Sequence, residues 1–427
     1  MQSTEYNKNA NKIKDNLNIE AINRLGLTRE EFQDFSIKDL TKLSPEEHIE
    51  VMPQMVVAKI KYDATLLNLE DVDRLPVKKG EYYLMRMFSF IQLYNKDRVL
   101  PTPFFKKYYN TYRGEDLNNK SLFVYVYKAG IGDLLFQQAI LRILKIKYPR
   151  VFITFAVPTK HIEYIKSWNT ADRVVSNITE VKHFINADYH LNFEFIVKTT
   201  QGYEENVYRN FAKRASLSDP LDTLSSLFPQ VPANPEYRRQ WIELFNKKKI
   251  QKDNFIIVNF NSNNPMRIPR PKFRKQFLNH LIKNFPAKDI IFIDTKDKLI
   301  QEDINKLIKP YNNIYNLSKY SDNLISSTAL ISLSKLVISV DTGIIHMAAS
   351  VGIKTYGIYG PFPAKIRINT YPNCDWIEAN HLECVPCCEH DLISCENNKG
   401  GYPICYDELD QDVMITKIKK LLNKDNQ

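Results

Sequence analysis

The spacing of apolar residues changes character at about residue 120. Before it, Leu27 to Phe35 and Ile37 to Val51 mix apolar and charged positions at helical spacing. Ser44-Pro45-Glu46-Glu47 reads as a helix start, since serine caps and proline fits the first turn. A Pro-punctuated stretch, LPTPFFKKYYNTYRGEDLNNKS, then reads as a linker. From Ser121 onward, short apolar runs alternate with segments of helical period. LFVYVY reads as a buried strand, KAGIGD as a turn, and LLFQQAILRILKIKYP as a helix with Phe136, Ala139, Ile140, Ile143 and Leu144 on one face. VFITFAV and DYHLNF read as further strands. After a Pro-rich divider, DPLDTLSSLFPQVPANPEY, the alternation restarts. FIIVNF, DIIFID, NIYNL and LVISV read as strands, interleaved with helices over 272–284, 299–308 and 322–334.

Strands alternating with helices predict an α/β protein with parallel, doubly wound sheets, here two tandem Rossmann-like domains with a central cleft. The expected division is a mostly helical N-terminal accessory region over 1–118, a first Rossmann-like domain over 119–235, a second over 236–380, and a Cys-rich loop with a C-terminal helix over 381–427. Ligands in such sheets bind beyond the carboxyl ends of the strands, which is where the polar turns fall.

Composition adds little to this picture, and charge somewhat more. The chain has 427 residues and a formal charge of +10, of which +6 falls between residues 121 and 250. A basic first Rossmann domain suits an anionic acceptor or an anionic membrane face. No helix-turn-helix, zinc-finger or RNA-binding signature accompanies the charge, so no nucleic-acid partner is expected. No apolar run reaches the ~18 residues of a membrane span, and the opening MQSTEYNKNANKIKDN has no apolar signal core. The expected location is cytoplasmic, with room for peripheral attachment at the inner face of the membrane.

Four constellations carry candidate chemistry. Gly130 and Gly132 flank Ile131 before Asp133 at a strand-to-helix turn. Glycines permit a sharp turn and close approach, and a carboxylate there suits either a general base or a helix cap. The segment lacks the third glycine of a dinucleotide fingerprint, which argues against a nicotinamide enzyme. After strand LVISV come Asp341, Thr342, Gly343 and His346. A helix N-terminus with a hydroxyl donor and no obstructing side chain suits phosphate, while Asp341 suits sugar hydroxyls or the orientation of His346. After FIIVNF, the loop through Ser262 and Asn263 ends in Arg267, a cation able to grip phosphate oxygens. The fourth is Cys384, Cys387, Cys395 and Cys405, spaced C-x2-C-x7-C-x9-C. Two readings stand for it: a structural zinc or iron held by four thiolates, or reduced thiols in a loop-rich extension.

KAGIGDLLFQQAILRILKIKYP, the loop through Arg267 into a helix, LVISVDTGIIHMAASVGIKTYGIYGP, and the trailing cysteines before a final helix together resemble glycosyltransferase family 9, the ADP-heptose:lipopolysaccharide heptosyltransferase-like enzymes. The resemblance covers residue 121 to the end and leaves 1–118 uncovered. It implies a GT-B fold with the acceptor domain first and the nucleotide-sugar donor domain second. It also implies an inverting transfer of a sugar, typically heptose from an ADP-linked donor, to an acceptor glycan such as lipopolysaccharide core, with no cofactor required for catalysis. On this resemblance Asp133 is the base on the acceptor hydroxyl, Arg267 neutralises the leaving diphosphate, and Asp341, Thr342, Gly343 and His346 form the donor-binding turn. Glu302 is the candidate for the acid that holds the donor's ribose. The alternative is a non-catalytic sugar-nucleotide-binding or scaffold protein that retains the fold.

Overall fold

A computed structural model describes residues 55–427, apart from 63, 68–73, 87–89, 91–92, 94–97, 102–109, 127–128, 178–179, 194–205, 218–227, 252–253, 295–297, 322, 381, 388–394, 396 and 427. The helical patterns expected before residue 52 lie outside the described residues. The described part of the N-terminal region departs from the mostly helical expectation. Its strands are β1 (Met55–Ile60), β2 (Ala64–Leu67), β3 (Arg74–Val77), β4 (Tyr82–Arg86) and β5 (Val99–Pro101). β1 pairs antiparallel with β4 from Met55 opposite Arg86 to Lys59 opposite Tyr82, and with β5 on its other edge. Valines and tyrosines in MVVAKI and YYLMR favour the pleated backbone. Gly80 takes the positive φ of the turn before β4.

The first parallel sheet holds β6 (Ser121–Tyr125), β7 (Phe152–Val157), β8 (Arg173–Ser176) and β9 (Tyr189–Asn192), in the order β8-β7-β6-β9. The second holds β10 (Phe255–Asn259), β11 (Asp289–Phe292), β12 (Ile314–Asn316), β13 (Leu336–Val340), β14 (Thr355–Tyr359) and β15 (Cys374–Glu378). Its order is β12-β11-β10-β13-β14-β15, with every pair parallel. That is the doubly wound nucleotide-binding order, in which the winding reverses between the first and fourth strands. Here the reversal lies between β10 and β13, which are hydrogen-bonded neighbours. The loops carrying Arg267 and Asp341 leave those two strands.

The described helices are α1 (Ile131–Lys147), α2 (Ile162–Lys166), α3 (Val181–Ile185), α4 (Val207–Arg214), α5 (Pro235–Lys248), α6 (Pro271–Asn284), α7 (Lys298–Ile308), α8 (Leu324–Ile331), α9 (Gly343–Ser350), α10 (Lys365–Ile368) and α11 (Gln411–Leu422). Local chemistry sets several of their ends. Asn234 caps α5 with Pro235 in its first turn, Asn323 caps α8, and Asp410 caps α11 through the N–H groups of Asp412 and Val413. Met414, Ile415, Ile418 and Leu421 of α11 bury into the core of the second sheet. No helix among the described residues is long and apolar enough to cross a membrane.

The two sheets' units meet tightly. α1 packs on α9, and α4 packs on α1 and α10. Tyr208 Oη donates to Tyr371 Oη at 3.0 Å, Thr328 Oγ1 to Tyr164 Oη at 3.0 Å, and the Val231 N–H to the Ser350 carbonyl at 2.9 Å. Each of these bonds joins the first half of the described α/β region to the second.

Candidate functional site

The KAGIGD turn and the DTG turn come face to face. A Cβ added to Gly132 would lie 2.8 Å from His346 Cδ2 and 3.2 Å from Nε2. One added to Gly343 would lie 3.1 Å from Ile131 Cβ. Both contacts are tighter than a side chain normally tolerates, so the glycines let the N-termini of α1 and α9 touch. The sequence leads one to expect these glycines to serve ligand approach. The structure shows them used first for helix approach.

Asp133 sits in the first turn of α1, half-buried, and its Oδ2 accepts the Gly130 N–H at 3.1 Å. Gly130 occupies the capping position itself, so the plain N-cap role considered for Asp133 does not apply. Burial raises the Asp133 carboxyl above the ordinary carboxylate range. The Gly130 N–H, Arg367 and Arg267 pull it back down, and Asp341 pushes it up again. A carboxylate under opposing influences of this kind is suited to proton transfer.

At the DTG turn the cap is Thr342, whose Oγ1 accepts the Ile344 N–H at 3.2 Å. Asp341 is only 2% exposed and is held between two guanidinium groups. Arg267 Nε lies 3.4 Å from its Oδ2, and Arg367 Nη1 lies 3.3 Å from Oδ2 and 3.5 Å from Oδ1. Phe362 lies against both cations, with its ring centroid 4.8 Å from the Arg267 guanidinium carbon and 5.2 Å from that of Arg367. His346 is buried. Its Nδ1 is 2.5 Å from Tyr371 Oη, and its ring meets Phe136 edge-on at 4.8 Å. Burial depresses its pKa to about 3, against the pull of Asp341, so it stays neutral at ordinary pH. The imidazole joins α9 to α1 and to Tyr371, and through Tyr371 to Tyr208 on α4.

The Arg267 loop is held from two directions. Asn264 caps the turn Pro265–Arg267 through the Met266 N–H, and Tyr406 Oη donates to the Arg267 carbonyl at 2.9 Å. Ser262 Oγ accepts the Asn264 N–H at 3.3 Å, while Asn263 is exposed at the loop's bend. Beside this loop, at the carboxyl end of β11, Asp294 Oδ2 accepts Asn261 Nδ2 at 2.7 Å and Asn259 Nδ2 at 3.3 Å. Glu302 lies on α7, 4.0 Å from Lys298.

The cysteines stand next to the same loops. Cys387 donates its N–H to the Pro361 carbonyl at 2.9 Å, and its Sγ lies 3.1 Å from the Cys384 carbonyl. Cys405 is buried, and its thiol is pushed up by burial and by the nearness of Cys387, Cys395 and Cys384. Among the described residues no set of three or more His, Cys, Asp or Glu side chains is arranged around a metal position.

Sequence reasoning missed Arg367, Phe362, Tyr371, Tyr406 and Asp294. All but Tyr406 follow strands of the second sheet, so the sheet order is the signal that could have found them.

Residues 292–394 match glycosyltransferase family 9 (heptosyltransferase). That segment contains the DTG turn, Phe362 and Arg367, and Asp133 and Arg267 precede it. A family 9 glycosyl transferase from Veillonella parvula DSM 2008 aligns with a TM-score of 0.55 at 13% identity, over 73% of this chain and 99% of that one. The ADP-heptose lps heptosyltransferase II of E. coli aligns with a TM-score of 0.53 at 14% identity, over 72% of this chain and all of that one, 100%. No curated protein sequence matches the chain. At these identities the structural likeness shows the fold, a GT-B arrangement, which is the fold that the resemblance to family 9 implies. The resemblance to family 9 stands on that likeness and on the matched segment.

Proposed function

We propose that the protein is an inverting glycosyltransferase that moves a sugar from a nucleotide-diphosphate donor to a hydroxyl group of an acceptor glycan. One observation carries this reading. The α1 and α9 N-termini meet, so a raised carboxylate from the first sheet and an arginine-flanked phosphate-type turn from the second share one cleft.

In the proposed reaction Asp133 takes the proton of the acceptor hydroxyl as its oxygen attacks the anomeric carbon. The bond from that carbon to the diphosphate breaks on the opposite face, and the nucleoside diphosphate leaves with the electron pair. Arg267 and the N-terminal turn of α9 stabilise the departing charge. Thr342 shapes that turn, and Gly343 keeps it clear of a side chain. Ser262 and Asn263 border the donor's path. Asp294 follows the second strand of the nucleotide-binding half, the position from which an acid reaches ribose hydroxyls, and takes the role first considered for Glu302. The family match and the E. coli heptosyltransferase likeness favour heptose on an ADP carrier, and the basic first domain favours an anionic acceptor such as lipopolysaccharide core at the inner membrane face.

Asp133→Asn tests the reading. It keeps the Gly130 contact but removes the base, so turnover should fall on the order of 100- to 10,000-fold while donor affinity stays unchanged. Unchanged turnover would remove Asp133 from the mechanism, and no turnover in the parent would favour the non-catalytic binding protein.

The four cysteines belong to the same proposal as a structural site. Thiol donors suit zinc or iron, and the Cys405 thiol, pushed up by burial and by the nearness of the other three, would be relieved by a cation. Such a metal would fasten the loop that touches Pro361 and leave the transfer chemistry to Asp133 and Arg267. Metal analysis of the purified chain should find about one equivalent, lost in Cys387→Ser. A metal-free parent of equal stability would leave the reduced-thiol reading.

A further inference from the structure

Arg367 belongs to none of the motifs that suggested a function, yet it is the most deeply buried cation at the donor turn, 5% exposed. It lies on α10, beyond the Gly360-Pro361-Phe362 loop that leaves β14. Its guanidinium reaches Asp341 at 3.3 and 3.5 Å, while Arg267 reaches the same carboxylate at 3.4 Å. One buried carboxylate therefore meets two fixed cations. With a single arginine the two charges would cancel, and the turn would offer an anion little beyond backbone dipoles. With both, the cluster carries a net positive charge where water screens it weakly.

We propose that Arg367 is a positioning residue for the transfer reaction: it takes up the charge of Asp341 and stacks on Phe362, so that Arg267 presents a net positive cluster to the departing diphosphate. The proposal rests on the glycosyltransferase reading. It also has a second consequence, at the base. The groups that act on Asp133 are the Gly130 N–H of its own turn, Arg267 from the loop after β10, Asp341 from the turn after β13, and Arg367 from α10. His346 of α9 lies across Gly132 and is neutral at working pH. Arg367 and Arg267, both fixed on the Asp341 carboxylate, both favour the ionised form of Asp133. Removing Arg367 raises the Asp133 pKa, so a base that must be deprotonated loses activity at a higher pH.

The test is a titration of the full chain labelled with carboxyl-13C aspartate, followed by NMR, with the Asp133 resonance assigned by its loss in Asp133→Asn. Wild type, Arg367→Lys and Arg367→Met are compared, with kcat/KM measured against pH in parallel. The Asp133 midpoint should move upward in Arg367→Met and hold in Arg367→Lys. At neutral pH kcat/KM should fall on the order of 10- to 100-fold in Arg367→Met, with its acid limb displaced to higher pH, and largely recover in Arg367→Lys. If Arg367→Met does not fold, Arg367→Gln carries the same comparison. An unmoved midpoint in a folded, uncharged variant overturns the role at Asp133, and unchanged kcat/KM overturns the role at the diphosphate. Lack of any transfer by wild type overturns the glycosyltransferase reading and with it the diphosphate role, while the titration still decides the Asp133 role.

Discussion

Gly132 shows how much a single position can decide. Its missing Cβ is what allows His346 to lie across α1, and His346 is itself pinned by Tyr371 and Phe136. Because the imidazole cannot swing away cheaply, Gly132→Ala should destabilise the chain by about 1–3 kcal/mol, read as a lower denaturant midpoint. A midpoint equal to wild type would show that the two helices separate at no cost. At this scale the sequence was legible where a residue type is rare for its place. Asp133 and Asp341 stood out because carboxylates at the ends of apolar strands ask for an explanation. Their partners were not legible, since Arg267 and Arg367 reach Asp341 from 74 and 26 residues away in the chain. The helix cap is Thr342, one residue on from Asp341, which leaves the Asp341 carboxylate for the two arginines.

Among the elements, the C-terminal segment links the cysteines to the cleft. Cys405 and Tyr406 lie against Gly360, where a Cβ would come within 2.8 and 2.7 Å of them, and Asp407 pairs with Arg270 at 2.5 Å. Tyr406 Oη holds the Arg267 carbonyl. Tyr406→Phe removes that bond alone, at a cost of about 1 kcal/mol, and should weaken nucleotide-sugar binding several-fold as the loop loosens. Binding as tight as wild type would separate this segment from the site. The parallel strands and their helices were legible from period, since buried strands of parallel sheets read as continuous apolar runs. The short β8, RVVS, escaped because four residues carry too little pattern, and α4 escaped because it follows a polar stretch. The N-terminal strands were not legible because the mostly helical reading of 1–118 rested on the patterns before residue 52.

The whole molecule brings two turns, read separately along the sequence, into contact, and neither turn alone makes a transferase. Their convergence depends on α1 meeting α9, on the Tyr208–Tyr371–His346 chain across the interface, and on the reversal of winding between β10 and β13. In the proposed function this site takes a nucleotide sugar through Arg267 and the turn of Asp341, Thr342 and Gly343. Calorimetry of the purified chain with ADP-, UDP-, GDP- and CMP-linked sugars tests it most directly, with Arg267→Met as the control. Selective binding of an ADP-linked sugar is expected, with affinity lost in Arg267→Met. Binding of none of these donors, or binding that Arg267→Met leaves intact, would contradict it.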